Sequence, residues 1–214
     1  RNKTRIGGTK KLHPEKIEAL QPDLIIANKE ENDQKQIKEL VEKYPVWISD
    51  ITTLEDALQM IEAIGEMTGT EKKAETLTGN ILDVFHQLRK STVPTPLRAA
   101  YFIWRKPYMV AANQTFINCM LEWAGFENIY LHLNRYPEID LAELKKLNPE
   151  VILLSSEPYP FQDKHLEEFR KICPGVVIQL VDGELFSWYG SRLLLSAPYF
   201  RNLQRDLHRQ LRVN

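Results

Sequence analysis

Short apolar runs alternate with amphipathic helical patterns along the 214 residues of the chain. Apolar runs of about four to six residues between turn signals are typical of buried parallel strands, and the helical patterns between them are typical of helices that cover a sheet. This alternation predicts an α/β protein with mainly parallel sheets. The predicted strands are Asp23–Ala27, Val46–Ser49, Arg98–Trp104, Glu150–Ser155 and Val176–Val181.

Two of the predicted helices begin with recognised start signals. Thr53 precedes Leu54 and is followed three residues later by Asp56, and Pro14 stands at a first-turn position after His13. Both arrangements are typical of helix N-termini. The predicted helices are His13–Leu20, Asp33–Lys43, Leu54–Met67, Thr70–Lys90, Gln114–Ala124, Leu141–Leu147, Gln162–Ile172 and Ser196–Leu211.

The pattern from Thr70 to Lys90 is the longest, with apolar residues at spacings of three and four. At about 1.5 Å per residue it forms a rod of roughly 30 Å, the width of a small domain. It ends at the helix-breaking segment Ser91–Pro96. We therefore expect one long rigid helix (70–91) between an N-terminal lobe (1–69) and a C-terminal lobe (92–214). The alternative is an ordinary surface helix followed by a proline-rich loop.

An internal repeat supports two lobes of one design. Leu20–Ala27 and Leu147–Leu154 each contain a helix end, a proline, an acidic residue and a buried strand. Extending the alignment places Glu30 on Glu157, so each strand leads into a loop that carries a carboxylate. The second half has a further strand and helix before this unit and the first half does not. The chain is therefore expected to be a fragment or to have unequal lobes.

Composition excludes several functional classes. Hydrophobic residues make up 43% of the chain and charged residues 27%, with a formal net charge of −1. Nucleic acid and anionic membranes are therefore poor partners, and no apolar run approaches the ~20 residues of a membrane span. Arg1–Arg5 shows no apolar signal-peptide region. Cys119 and Cys173 lack zinc-site spacing and are either buried thiols or one disulfide.

The loops after the predicted strands are rich in aromatic residues. Ligands of open α/β sheets bind at the carboxyl ends of strands. Large rings bury apolar area there, while arginines and carboxylates orient a flat, partly polar ligand. We therefore predict a ligand-binding face, the alternative for any one loop being a plug of the core. Its candidate residues are Trp104, Arg105, Tyr108, Tyr159, Phe186, Trp188, Tyr189 and Arg192.

Recognised catalytic motifs do not follow any predicted strand: there is no nucleophile elbow, Walker loop or dinucleotide fingerprint. The five histidines are scattered singly, so we predict no catalytic residue, no metal site and no cofactor. Glu30 and Glu31 are adjacent and point apart, which favours an acidic surface for docking a basic partner. The feature that would indicate an enzyme here is a histidine near a carboxylate at the ligand face; the only candidates in the second lobe, His132 and His165, do not lie in a strand-end aromatic loop.

Several stretches of the chain carry a family resemblance. They are Ile6–Thr9, Glu15–Ala27, Thr53–Leu58, Ile64–Gly69, Thr115–Ile117, Leu121–Ile129 and Tyr136–Ile139. Together with the two-lobed plan they resemble the substrate-binding proteins of ABC importers that have a helical backbone (class III), and most of all the cobalamin-binding members. The resemblance covers essentially the whole chain. It implies a ligand cleft between the lobes, no enzymatic activity, and a location that is periplasmic or anchored to the membrane outside the cytoplasm.

The resemblance also implies roles for individual residues. Aromatic side chains hold the ligand, and one acidic residue from each lobe docks on arginines of the membrane permease. Ser187 stands where the cobalamin binders carry Glu, and Asn28 stands where a ring is expected. The docking candidates are therefore Glu30 and Glu31 in the first lobe and Glu157 and Glu184 in the second.

The implied ligand is a corrinoid such as cobalamin, captured by a monomeric receptor and delivered to the ABC permease. Haem or a ferric siderophore is the alternative, because Arg105, Tyr108 and Arg192 offer the iron ligand or the arginine cluster that such ligands need. In either case the cobalt or iron belongs to the ligand and is not a cofactor of the protein. A further alternative is a soluble enzyme or chelatase on a related two-lobed scaffold.

Overall fold

The computed structural model describes residues 3–90 and 95–213. It contains two compact units, one extending to Asp50 and one beginning at Ile51. The predicted α/β class with mainly parallel sheets is confirmed. The division into 1–69, 70–91 and 92–214 with a cleft between lobes stays a prediction, and residues 91–94 lie outside the described residues.

The first unit is a small layer of helices on a two-stranded parallel sheet. Pro14 opens the first helix, and the Asp33 side chain caps the second by accepting a hydrogen bond from the Gln36 backbone N–H. The buried core is Ile17, Ala27, Ile37 and Leu40. The elements are β1 (Gly7–Gly8), β2 (Lys11–Leu12), α1 (Pro14–Leu20), β3 (Ile25–Asn28), α2 (Gln34–Val41) and β4 (Val46–Ser49).

The second unit contains a mixed five-stranded sheet covered by helices on both faces. Its first helix starts with the predicted capping box, in which Thr53 and Asp56 exchange side-chain and backbone hydrogen bonds. The elements are α3 (Leu54–Thr68), α4 (Glu71–Lys90), β5 (Leu97–Trp104), β6 (Met109–Val110), α5 (Phe116–Trp123), β7 (Phe126–Asn128), α6 (Leu141–Leu144), β8 (Val151–Ser155), α7 (Asp163–Ile172), β9 (Val177–Val181), α8 (Glu184–Ser187) and α9 (Leu193–Val213).

Strand β5 organises this sheet. Its first half pairs in parallel with β7, and its second half pairs antiparallel with β6. It also pairs in parallel with β8, which in turn pairs with β9. The strands β5, β8 and β9 therefore point the same way, and their carboxyl ends meet at one edge of the sheet.

The side chains of β5 alternate between two separate cores. Tyr101 and Ile103 face the helices α3, α4, α5 and α9, whereas Ala100 and Phe102 face α7. Strands buried on both faces read as continuous apolar runs, and alternation of Cβ atoms sends successive residues to opposite faces. This explains why the Arg98–Trp104 run is apolar almost throughout.

Helix α4 packs along one side of the second unit against α3 and α9. Ala74, Ile81, Phe85 and Leu88 are buried on its inner face. Gly65 of α3 lies so close to α4 that a Cβ at this position would stand 2.5 Å from the Ala74 Cβ. The predicted long helix is confirmed, and its described contacts include two helices of the second unit.

The remaining sequence predictions agree with the structure except at four short strands and three helices. Each predicted strand is present within two residues at both ends. The strands β1, β2, β6 and β7 and the helix α8 were not predicted, α6 ends early at Leu144, and α9 begins at Leu193 instead of Ser196. Both cysteines are free, Cys173 being buried and Cys119 half-buried.

Candidate functional site

An aromatic surface forms where β5, β8 and β9 end. Trp104 is the last residue of β5, Tyr159 lies in the loop after β8, and Trp188 follows α8. Trp104 is 39% exposed and Trp188 is 50% exposed, although large aromatic side chains are usually well buried. We call these three residues the aromatic edge.

Trp104 and Tyr159 belong to one cluster of rings. Their centroids are 5.8 Å apart in an edge-to-face arrangement, and Tyr159 lies 4.8 Å from Phe161 in the same geometry. Phe161 is buried against α7. Edge-to-face pairs stabilise aromatic clusters beyond their buried area, so the exposed Trp104 rests on a firm base.

Trp188 is held by Glu157. The indole Nε1–H donates to Glu157 Oε1 at 2.9 Å, and the Ser187 hydroxyl donates to the same oxygen at 2.5 Å. Glu157 comes from the loop after β8, whereas Trp188 and Ser187 come from the segment after β9. One carboxylate therefore connects two of the three strand-end loops.

Arg192 lies against Trp188. Its guanidinium carbon is 5.6 Å from the centroid of the Trp188 ring, within the range of a cation–π interaction. The same guanidinium forms an ion pair with Glu184. Glu184, a predicted docking residue, therefore already neutralises a neighbouring arginine.

Arg105 and Tyr108 both bind Glu168 on helix α7. The Arg105 Nε–H donates to Glu168 Oε2 at 3.0 Å, and the Tyr108 hydroxyl donates to Glu168 Oε1. The hydrogen bond to Glu168 raises the pKa of Arg105 above its usual value. Glu168 is absent from the residues predicted from sequence, because a polar residue on an amphipathic helix carries no local signal.

His165 supports Tyr159. Its Nδ1 accepts the Gln162 backbone N–H at 2.9 Å, and its Nε2 lies 3.2 Å from the Tyr159 hydroxyl oxygen. Burial, followed by the charges of Arg105 and Lys164, lowers the pKa of His165. His165 lies on α7, outside the strand-end aromatic loops as predicted, but its ring packs against Tyr159 and Phe161.

Two predicted ligand residues lie elsewhere. Phe186 is fully buried, with its ring centroid 5.1 Å from that of Tyr101 and 4.6 Å from that of Phe200. It belongs to the core because α8 turns this side chain under the sheet edge, so its assignment to the ligand face is corrected. Tyr189 is half-buried, and its ring meets Phe116 of α5 at 5.3 Å.

In the first unit, Asn28 shapes the loop with Glu30 and Glu31. Asn28 Oδ1 accepts the backbone N–H groups of Glu30 and Glu31 at 3.0 and 2.9 Å, and its Nδ2 donates to Ser49 Oγ at 3.0 Å. An aromatic ring cannot accept these bonds, which gives a physical reason for asparagine at this position. Glu31 is exposed and Glu30 is half-buried.

Other places in the described residues offer less. No three His, Cys, Asp or Glu side chains within residues 3–90 and 95–213 come together as a metal site. A cavity of about 80 Å³ lies in the first unit, with Leu12, Ile17 and Tyr44 among its lining residues. It is small beside the roughly 300–1,000 Å³ of ordinary ligand pockets.

The chain also resembles a known family of proteins. The family model for periplasmic binding protein matches residues 1–172. The chain belongs to this family. Periplasmic binding proteins are substrate-binding components of transport systems, and members of this family are located outside the cytoplasm.

Curated relatives of this periplasmic binding protein include two vitamin B12-binding proteins. That of Vibrio parahaemolyticus is 26% identical over 144 residues, which cover 66% of this chain and 52% of the relative. That of Pectobacterium carotovorum is 24% identical over 191 residues, which cover 87% of this chain and 68% of the relative. The chain therefore spans about half the length of the first relative and about two thirds of the second.

Solved structures share the fold. The periplasmic vitamin B12-binding protein of Vibrio cholerae superposes with a TM-score of 0.79 at 19% identity, covering 95% of this chain and 82% of that one. A periplasmic haem-binding protein in complex with two haems superposes with a TM-score of 0.77 at 20% identity and the same coverage. At such identities the likeness concerns the fold of this periplasmic binding protein.

Within the part of the chain that the structure describes, no helix of the periplasmic binding protein has both the length and the apolar character needed to cross a bilayer.

Gly183 provides a stability test of the strand-end loops. Its backbone is helical (φ −62°, ψ −35°), but an added Cβ would stand 2.3 Å from Ser155 Oγ and 2.7 Å from Glu157 Cγ. We expect Gly183→Ala to lower the free energy of unfolding by about 1–3 kcal/mol, the usual cost of overpacking. Urea unfolding followed by circular dichroism measures this change.

Gly190→Ala is the matched control, because no heavy atom lies within 4 Å of a Cβ built at Gly190. We expect its free energy of unfolding to stay within about 0.5 kcal/mol of the unsubstituted protein. Equal effects of the two substitutions would contradict the close approach of Gly183 to Glu157.

Proposed function

We propose that this periplasmic binding protein captures a corrinoid, such as cobalamin, and delivers it to the permease of an ABC importer. The observation that carries the proposal is the exposure of Trp104 and Trp188 at the carboxyl ends of parallel strands. Exposed rings held in place offer apolar stacking area to a large ring ligand at little entropic cost. Curated relatives named vitamin B12-binding proteins support the same ligand class.

A haem or ferric-siderophore receptor is the second candidate, supported by the haem-binding protein of similar fold. Such ligands carry iron or acidic groups and call for a tyrosine ligand or available arginines. Tyr108 and Arg105 are both engaged by Glu168, and Arg192 is engaged by Glu184. These pairs have to open before either role can be filled, which favours the corrinoid.

The enzyme or chelatase alternative receives less support. It needs a histidine that can exchange protons or bind metal at the ligand face. The Nδ1 atom of His165 accepts a backbone N–H at the start of α7, and its Nε2 bonds to Tyr159. Both ring nitrogens of His165 are therefore already hydrogen-bonded within the protein.

Ligand titration tests the proposal. The purified protein is titrated separately with cyanocobalamin, haemin and a ferric hydroxamate, and binding is followed by absorption spectra after equilibrium dialysis. We expect saturable binding of one equivalent of cyanocobalamin. Saturation by haemin or the hydroxamate alone would assign the protein to the second candidate.

The docking role of Glu30 and Glu31 predicts a separation of binding from transport. We expect the double substitution Glu30→Lys, Glu31→Lys to leave cyanocobalamin affinity unchanged and to impair uptake by cells that carry the permease. Like charges would then oppose the proposed permease arginines, and such repulsion costs several kcal/mol in an interface. Dialysis measures affinity, and radiolabelled ligand measures uptake.

Glu42→Lys is the control, because Glu42 is an exposed carboxylate at the end of α2 in the same unit. Its reversal should change neither affinity nor uptake. A loss of ligand affinity in the double variant would instead place Glu30 or Glu31 at the ligand site.

A further inference from the structure

The carboxylate of Glu157 is turned toward its own protein. Its Oε1 accepts from the Trp188 indole at 2.9 Å and from the Ser187 hydroxyl at 2.5 Å. Hydrogen bonds to an ionised acceptor are stronger than those between neutral groups. Glu157 thus bonds to groups of its own protein, in addition to the permease-docking role that the family resemblance implies.

Glu157 is itself anchored to the core. The buried Tyr101 hydroxyl donates to Ser155 Oγ at 3.1 Å, and the Ser155 hydroxyl donates to the backbone oxygen of Glu157 at 2.6 Å. The Gly183 backbone N–H donates to Ser156 Oγ at 2.9 Å, which ties the next loop to the same place. A chain of hydrogen bonds therefore runs from the core to the exposed indole.

The Trp188 ring is restrained at two places. Glu157 holds its N–H edge, and the Arg192 guanidinium lies 5.6 Å from its centroid while paired with Glu184. Half of the residue surface nevertheless remains exposed. A ring fixed in this way is available to a ligand without first losing rotational freedom.

We propose that Glu157 is a positioning residue, which sets the orientation of the Trp188 indole for stacking against a flat ring ligand. The proposal rests on the proposed function for the nature of the ligand, but the Glu157–Trp188 contact exists without it. Glu157 acts through the indole N–H and needs no contact with the ligand. The expected chemistry at this place is apolar contact between the ligand ring and the face of the indole, whose polar N–H is already bonded to Glu157.

The first test needs no ligand. In the ¹⁵N-labelled protein, the Trp188 Nε1–H resonance is assigned with Trp188→Phe. We expect Glu157→Ala to move this resonance upfield and to speed its hydrogen exchange, and Glu157→Gln, which keeps one acceptor oxygen, to do so less. The indole signals of Trp47 and Trp123 should stay in place, as should all indole signals in the control Glu167→Ala, an exposed carboxylate on α7.

The second test is a double-mutant cycle with cyanocobalamin. We expect Glu157→Ala to weaken binding about threefold to tenfold, because the indole loses a hydrogen bond to a charged group. Phenylalanine has no N–H, so in the Trp188→Phe background the same substitution should cost no further affinity. A general structural role of Glu157 would instead reduce affinity in both backgrounds.

The outcomes separate the two proposals. An unchanged Trp188 resonance in Glu157→Ala and Glu157→Gln overturns the positioning role, and so do additive losses in the cycle. A shifted resonance in a protein that binds no cyanocobalamin supports the positioning role and overturns the corrinoid assignment. If Glu157→Ala does not fold, the Glu157→Gln spectrum alone decides.

Discussion

Trp188→Ala is expected to weaken cyanocobalamin binding at least tenfold. The substitution removes the most exposed residue of the aromatic edge, Trp188 being 50% exposed. The loss of one stacked ring corresponds to about 1.4 kcal/mol or more of binding free energy. Equilibrium dialysis is the proper measurement, because removing a tryptophan also alters the fluorescence signal.

Two controls accompany this substitution. Trp188→Phe keeps a ring at the same position but loses the N–H that bonds to Glu157, so we expect its loss of affinity to be close to that of Glu157→Ala and smaller than that of Trp188→Ala. Trp123→Phe changes a tryptophan that packs on Phe85 and Arg89 beside α4, at centroid distances of 5.2 and 4.3 Å, and should bind normally. Full affinity in Trp188→Ala would remove Trp188 from the ligand site.

Phe85→Ala is expected to lower the free energy of unfolding by about 3–5 kcal/mol, the usual cost of emptying a buried aromatic site. Phe85 lies on α4, is fully buried and meets the edge of Trp123. Much of a typical domain's stability of about 5–15 kcal/mol would be lost. Urea unfolding monitored by far-ultraviolet circular dichroism measures the change.

Leu82→Ala on the same helix is the control. Leu82 is 37% exposed and lies outside the buried face of α4, so we expect a cost below about 1 kcal/mol. If both substitutions lowered the free energy of unfolding by similar small amounts, α4 would be only loosely packed against the second unit. A large difference would show that α4 is an integral part of the second unit.

Regular elements were predictable from sequence because their signals are local. The residues that form the apolar run of β5 are close together in the sequence, and so are those of the Thr53–Asp56 capping box. The strands β6 and β7 have only two and three residues. They are recognised as strands only through the residues of β5 with which they pair. No composition signal marks such short strands, so they cannot be predicted from the sequence.

The position of the aromatic edge could be predicted from the sequence, but the hydrogen-bond partners of its residues could not. Trp104, Tyr159 and Trp188 were found because aromatic residues follow apolar strands. The carboxylates that bond to Trp188 and to the neighbouring Arg105 come from distant parts of the chain: Glu157 is 31 residues from Trp188, and Glu168 is 63 residues from Arg105. A carboxylate on a helix looks like any solvated residue until packing shows which cation it faces.

The two ion pairs beside the aromatic edge have an electrostatic consequence. Arg105 is matched by Glu168 and Arg192 by Glu184, so each guanidinium charge is balanced within its own pair. Binding of an uncharged ring system at this surface should consequently vary little with ionic strength, because screening acts on net charges. An anionic ligand would instead compete with Glu168 and Glu184 for the two guanidinium groups, and its affinity would vary with the salt concentration. We therefore expect ligand selectivity at this surface to depend on the paired arginines as well as on the exposed tryptophans.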